Sequence, residues 1–180
     1  MFSDDELQEA LDTIVKAYNL GVDCFIIQDL GLVSLVYKNY PEIEIHASTQ
    51  MAIHNLEGVK AIEKFGFKRV VLARETSIND IKNIKNNSNI ELEIFIHGAL
   101  CISYSGQCLM SSLIGGRSGN RGACAGSCRL PYDVIDCNGN KLNKNKYPIS
   151  TKDLMGLEYI GELIDAGVSS LKIEGRMKSA

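Results

Sequence analysis

Arg69-Val70-Val71-Leu72-Ala73-Arg74-Glu75 is a short apolar run that closes on two charged residues. A helical stretch near Ser77–Asn87 follows it, and then a second run of the same kind, Glu91-Leu92-Glu93-Ile94-Phe95-Ile96-His97. Strand, helix and strand at this spacing form a βαβ unit, whose crossover helix returns the chain so that the two strands lie parallel. The pattern repeats upstream, with strands expected at Cys24–Gln28 and Glu42–Ala47 and helices near Leu30–Tyr40 and Met51–Phe65. Ser3-Asp4-Asp5-Glu6 reads as a capping box that opens a helix carrying Leu7, Leu11, Ile14, Val15 and Tyr18, and Gly21 ends that helix.

Downstream, Thr151-Lys152-Asp153 is expected to start a helix bearing Leu154, Leu157, Ile160, Leu163 and Ile164, and Ser170-Leu171-Lys172-Ile173 forms a last strand. This makes about five parallel strands, whereas a complete eightfold barrel takes about 250 residues. The chain of 180 residues is therefore either a small open sheet or part of a barrel. Each strand ends in polar residues: Gln28-Asp29, His46 through Gln50, Arg74-Glu75, His97, and Glu174-Gly175-Arg176. Active sites of parallel α/β folds gather at that edge, which makes His46, Gln50, His97, Glu174 and Arg176 candidate site residues.

The composition, 45% hydrophobic and 23% charged with three Pro and no Trp, excludes disorder, collagen and coiled coil. Apolar runs such as Val70-Val71-Leu72-Ala73 are far shorter than the roughly 20 residues of a membrane helix. The acidic start Met1-Phe2-Ser3-Asp4-Asp5-Glu6 lacks the basic and apolar regions of a secretory signal, so a cytoplasmic location and no membrane are expected. A net charge of -3 gives no broad basic footprint, so any RNA contact must come from a local patch.

Between residues 101 and 150 the periodicity stops and Gly, Ser, Cys and Arg take over. We read this as a cysteine-rich insertion after one strand, ending in a hairpin whose Asn138-Gly139 suits a type I′ turn. Cys101, Cys108, Cys124 and Cys128 are the candidate metal ligands, because thiolates gathered by loops suit zinc or an iron–sulfur cluster. Separate buried thiols are the alternative. Cys137 is a reserve ligand and Cys24, inside a strand, is structural. His97 and Cys101 also suggest a nucleophilic pair, although no Gly-x-Ser-x-Gly elbow or His-Glu-x-x-His motif accompanies them. Arg117, Arg121 and Arg129 bracket the later cysteines, and a guanidinium fork suits carboxylate or phosphate. Arg176 is placed at a strand end for the same task, with Glu174 beside it as an acid–base or orienting group.

Glu93-x-Phe95-x-His97-Gly98-Ala99-x-Cys101-x-Ser103-Tyr104-Ser105-Gly106-x-Cys108-x-x-Ser111 is followed by Arg117-x-x-Asn120-Arg121-Gly122-x-Cys124. Together they resemble the signature of peptidase family U32, the collagenase-like proteins. His46-Ala47-Ser48-Thr49-Gln50-Met51, Ser150-Thr151-Lys152-Asp153-Leu154 and Lys172-Ile173-Glu174-Gly175-Arg176-Met177-Lys178-Ser179 extend the resemblance over nearly the whole chain. It implies a TIM-like (β/α) barrel, here partial and forming a single domain over residues 1–180, with a 4Fe-4S cluster held by the cysteines. Members of the family hydroxylate tRNA or ribosomal RNA bases, using prephenate, or a quinone precursor, and others are described as proteases. The resemblance therefore implies iron–sulfur-dependent RNA base hydroxylation, with prephenate as a possible cosubstrate. His97 and Glu174 are then the catalytic candidates, and His46, Gln50, Tyr104, Arg117, Arg121 and Arg176 the substrate-binding ones. A collagenase-like peptidase and a non-catalytic subunit are the alternatives, and a partner chain or oligomer would complete the barrel. Many relatives carry a cysteine where this chain has Met155, which puts Cys128 or Cys137 in line as the replacement ligand.

Overall fold

The computed structural model describes residues 2–175. Five of its strands are parallel: β1 (Cys24–Ile27), β2 (Glu44–Ala47), β3 (Arg69–Val71), β4 (Glu91–Gly98) and, last in the chain, β6 (Ser170–Ile173). A two-residue strand, β5 (Leu154–Met155), runs antiparallel to the far end of β4. Helices α1 (Leu7–Asn19), α2 (Leu30–Asn39), α3 (Leu56–Glu63), α4 (Ile78–Asn87), α5 (Met110–Gly115) and α6 (Ile160–Asp165) complete the α/β fold. The spatial order β1-β2-β3-β4-β6 follows the chain, without the reversal of a doubly wound sheet. Glu93 shows this directly, pairing with Val71 of β3 and with Ser170 of β6.

Side chains alternate across the sheet. Phe25, Ile27, Ile45, Ala47, Val70, Leu72, Leu92 and Ile94 belong to a core built with Leu11 and Ile14 of α1, Leu32, Val33 and Val36 of α2, Val59 of α3, Ile81 of α4 and Leu163 of α6. Each fully buried Val, Leu or Ile contributes about 1.5–3 kcal/mol. Several of the intervening positions on β2, β3, β4 and β6 carry charge instead. Arg69 pairs with Glu91 at 2.5 Å and with Glu93 at 3.6 Å, Lys172 reaches Glu93 at 2.7 Å, and His46 lies 2.7 Å from Glu44. The cations of Arg74 and Lys172 stand 4.5 and 5.6 Å from the centre of the Phe95 ring. The second face of the sheet is thus an ionic ladder around one aromatic ring.

Local signals explain most boundaries. The Glu6 carboxylate accepts from both the backbone N–H and the hydroxyl of Ser3, as expected of a capping box. Asp29, Asn55 and Ser77 cap α2, α3 and α4 by accepting from the backbone N–H groups of Leu32, Gly58 and Asp80.

Three expectations need correction. The stretch Met51–Phe65 is not one helix: a single turn at Thr49–Met51 stops at Ala52, whose φ of 56° is left-handed, and α3 starts only after the Asn55 cap. Thr151 does not open a helix either. Leu154–Met155 pairs with His97–Gly98, and the N–H of Gly156 donates to the Ile96 carbonyl at 2.7 Å, so helical structure begins at Leu157. The far end of β4 extends past its pairing with β3, and its open backbone groups take this segment as a strand. The Asn138-Gly139 hairpin comes down to one bridge, Ile135 to Lys141, and its turn is not type I′, since Asn138 has no positive φ. The Asp136 carboxylate holds that turn by accepting from the N–H groups of Asn138 and Asn140. No helix among the described residues is long and apolar enough to cross a membrane.

Candidate functional site

The polar residues at the strand ends fasten the irregular segment after β4 onto the sheet. Gln28, after β1, donates from Nε2 to the Asn120 carbonyl at 2.5 Å, and Gln50, after β2, donates to the Gly119 carbonyl at 3.2 Å. Asn120 in turn donates from Nδ2 to the Gly106 carbonyl at 3.0 Å. Gly106 rests against the Gln50 backbone so closely that a Cβ there would stand 2.1 Å from the Gln50 carbonyl oxygen, and its φ is +74°. Only glycine suits that contact and that backbone conformation.

Beyond β3, the Glu75 carboxylate accepts from the backbone N–H and the hydroxyl of Ser105, each at 3.1 Å, and the Ser105 hydroxyl accepts from the Arg74 N–H. Ser105 is buried by these contacts. Arg129 plays the same part further along. Its guanidinium donates to the Ser150 hydroxyl at 2.8 Å, to the Leu100 carbonyl at 2.7 Å and to the Thr151 carbonyl, tying the end of β4 to the approach to β5.

The candidate site residues are therefore distributed as follows. His46 is buried with its Nε2 on Glu44, and the Gln50 side chain is committed to the Gly119 carbonyl. His97 is exposed at the end of β4, opposite Met155. Glu174 pairs with Arg74 at 2.7 Å, and Arg74 in turn lies over Phe95. Tyr104 is 72% exposed. Arg117 is exposed and donates from Nε to the Ala123 carbonyl at 3.1 Å. Arg121 forms an ion pair with Glu6, and this guanidinium, with the contacts from Ser3, lowers the Glu6 carboxyl to about 2. Arg176 lies outside the described residues. The ladder on the second sheet face and the anchors Glu75, Arg74 and Arg129 were not singled out as such from the sequence. The alternation Glu91-Leu92-Glu93-Ile94 was the signal for the ladder, since it marks a strand with one polar face.

Cys101 and Cys124 are exposed, and Cys108 and Cys128 are partly buried. Burial pushes the Cys128 thiol up, Arg129 opposes this, and the neighbouring Cys101 and Cys124 push it up further. No group of three His, Cys, Asp or Glu side chains among the described residues is arranged to hold a metal ion. Soft thiols are donors for zinc and for iron–sulfur groups alike, and here the Gly126 N–H donates to Cys124 Sγ at 3.4 Å.

Comparison with known proteins agrees with the signature in these loops. The chain is 46% identical to the 23S rRNA 5-hydroxycytidine C2501 synthase of Escherichia coli, over 97% of this chain and 26% of that protein. It is 39% identical to tRNA hydroxylation protein P1 of Bacillus subtilis, over 99% of this chain and 44% of the relative. It is also 34% identical to a collagenase of Porphyromonas gingivalis, over 97% of this chain and 45% of the relative. The chain therefore spans about a quarter to a half of the length of these relatives. The structure of the U32 peptidase Mk0906 superposes with a TM-score of 0.59 at 17% identity, covering 99% of this chain and 65% of the other, which shows a shared fold. The match to the sequence profile of peptidase family U32 runs over residues 1–180, and the chain belongs to that family.

Proposed function

We propose that the chain is part of an RNA base hydroxylase that depends on an iron–sulfur cluster held by Cys101, Cys108, Cys124 and Cys128. The observation that carries this reading is that these four cysteines sit on the irregular segment that Gln50 and Asn120 fasten over the C-terminal edge of the sheet. The likeness to rRNA- and tRNA-hydroxylating proteins supports the choice of substrate. The five parallel strands form an arc of a (β/α) barrel with the ionic ladder on its inner face. A partner chain or second copy would cover the edges of β1 and β6. The cytoplasm is the compartment where such a protein meets its RNA.

A bound cluster supplies one-electron redox chemistry. The chain's own residues position the reactants. Arg117 has terminal nitrogens without a partner among the described residues, and it holds an anionic cosubstrate such as prephenate. Arg121 joins it by exchanging Glu6 for the ligand. Glu174 is held by Arg74 at the strand edge, where it orients the guanidinium or accepts a proton.

Anaerobic purification followed by iron and acid-labile sulfide analysis tests the cofactor, with Cys124→Ala expected to lose both. Nucleoside mass spectrometry of ribosomal and transfer RNA from a deletion strain tests the activity. An unchanged set of hydroxylated nucleosides would refute it. The collagenase relative favours a second reading, peptide hydrolysis with Cys101 as nucleophile. That reading needs a base on the thiol, and the His97 ring makes no hydrogen bond to a cysteine among the described residues. Gelatin cleavage abolished by Cys101→Ala would establish it.

A further inference from the structure

Arg74 stands just beyond β3 at the C-terminal edge of the sheet, and three neighbours hold it in one pose. Its guanidinium carbon lies 4.5 Å from the centre of the Phe95 ring, so one flat face rests on the aromatic surface and is shielded from water. Its Nη2 donates to the Glu174 carboxylate at 2.7 Å, and its backbone N–H donates to the Ser105 hydroxyl at 3.2 Å. Only 15% of the side chain remains exposed.

Glu174 is itself set in place by the fold. The pairing of β4 with β6 shifts register between Phe95 and His97, an irregularity of the kind that re-aims side chains beside active sites. Just past it, Gly98 has a φ of +119°, and a Cβ there would stand 2.4 Å from the Glu174 carbonyl oxygen. Glycine thus lets the end of β6 close onto β4, which brings the Glu174 carboxylate to Arg74.

A guanidinium has five N–H donors along two forked edges that share Nη2. Glu174 takes one Nη2 hydrogen, so the other edge keeps both of its donors. The side chain makes no other hydrogen bond among the described residues, where every buried polar side-chain atom has a partner, so the unpaired donors are reached by solvent.

We infer that the open edge of Arg74 is a binding site for the carboxylate of a small organic acid, taken in bidentate fashion. A stacked, pre-oriented guanidinium loses little freedom on binding. Charge selects the class of anion. Arg69, Lys172 and Arg74 are matched by Glu91, Glu93 and Glu174, so this face of the sheet has no surplus positive charge. Glu174 repels a singly charged carboxylate less than a phosphate dianion, and the planar pair of carboxylate oxygens fits the fork. The site is separate from the anion assigned above to Arg117 and Arg121. It goes beyond the hydroxylase reading and does not rest on it.

The test is an NMR titration of the isotope-labelled full chain with benzoate and with inorganic phosphate, at constant ionic strength and slightly above neutral pH, where phosphate is mostly a dianion. Benzoate is expected to shift the Arg74 and Phe95 resonances saturably and to bind at least about threefold more tightly than phosphate. Arg74→Lys keeps the charge and loses the fork, and should weaken benzoate about tenfold. Glu174→Gln keeps an acceptor for Nη2 and removes the charge, so phosphate should tighten about threefold and the preference should narrow. Glu174 is 41% exposed, so its variant decides the matter even if Arg74→Lys does not fold. No saturable shift at Arg74, phosphate binding as tightly as benzoate, or a preference unmoved by Glu174→Gln would overturn the proposal. So would binding that survives Arg74→Lys and is lost in Arg117→Ala. A purely structural Arg74–Glu174 pair predicts the first of these outcomes, with stability lowered by substitution and no response to either anion.

Discussion

Replacing Gly106 by alanine tests how the cysteine-bearing loop is seated, and Gly122 provides the control. The two glycines have nearly the same backbone, with φ of +74° and +72°. Alanine in the left-handed region costs about 1–2 kcal/mol at either site. Their surroundings differ: a Cβ on Gly106 meets the Gln50 carbonyl oxygen at 2.1 Å and the carbonyl carbon at 2.7 Å, while nothing lies within 4 Å of one on Gly122. The obstacle at Gly106 is backbone, so it cannot rotate away. Forcing atoms into such contacts adds about 1–3 kcal/mol. Gly106→Ala should therefore lose about 2–5 kcal/mol in all. In a chain of this size each kcal/mol lowers Tm by about 2–4 °C. Urea and thermal unfolding measure the global loss. Hydrogen exchange at the Ser105 amide, bonded to Glu75, measures detachment of the loop alone. Equal effects of the two substitutions in both assays would refute the seating of Gly106 on the Gln50 backbone.

Lys172→Met removes the closest cation from buried Glu93 and should cost about 1–3 kcal/mol at neutral pH, read from urea midpoints. Burial pushes the Glu93 carboxyl up, but Lys172 and Arg69 outweigh it and hold the carboxyl below its ordinary 4.5. A depressed carboxyl stabilises the fold fully above its unfolded value and loses that contribution as pH falls through the folded one, so Lys172→Met should flatten the acid limb of the stability profile. Arg129→Ala leaves the Thr151 carbonyl without its guanidinium donor and the Leu100 carbonyl with the Thr151 hydroxyl alone, should cost about 1–3 kcal/mol, and should speed limited proteolysis between residues 130 and 150. Arg121→Ala should lower Tm only slightly at neutral pH, because the pair is exposed, while the Glu6 carboxyl, followed by NMR, climbs from about 2 toward 4.5. A Glu6 titration unmoved by that substitution would refute the ion pair.

The parallel strands were legible because each is a compact apolar run bounded by polar residues, as in Arg69–Val71 and Glu91–Gly98. Helix starts were legible wherever a cap was present, as at Ser77. Leu154–Met155 was not, because its strand character comes from pairing with β4 and not from its own residues, whose leucine spacing suggests a helix. The break at Ala52 was hidden for a related reason: alanine gives no local warning of left-handed backbone. At the site, the cysteines and Tyr104 stood out by residue type. The partners of Arg121 and Arg74, 115 and 100 residues away, could not be read from local pattern. Gln50 was placed correctly at a strand end, but its attachment to the Gly119 carbonyl depends on how the loop folds back.

The fastening of the loops has a consequence for how such a protein changes over evolutionary time. Gln28, Gln50, Asn120 and Arg129 all donate to main-chain carbonyls, those of Asn120, Gly119, Gly106, Leu100 and Thr151. A carbonyl is the same whatever side chain its residue bears. The scaffold therefore fixes the path of the loop while leaving positions such as 104 and 107 free to vary. Side chains can be exchanged there one residue at a time without renegotiating the architecture beneath them.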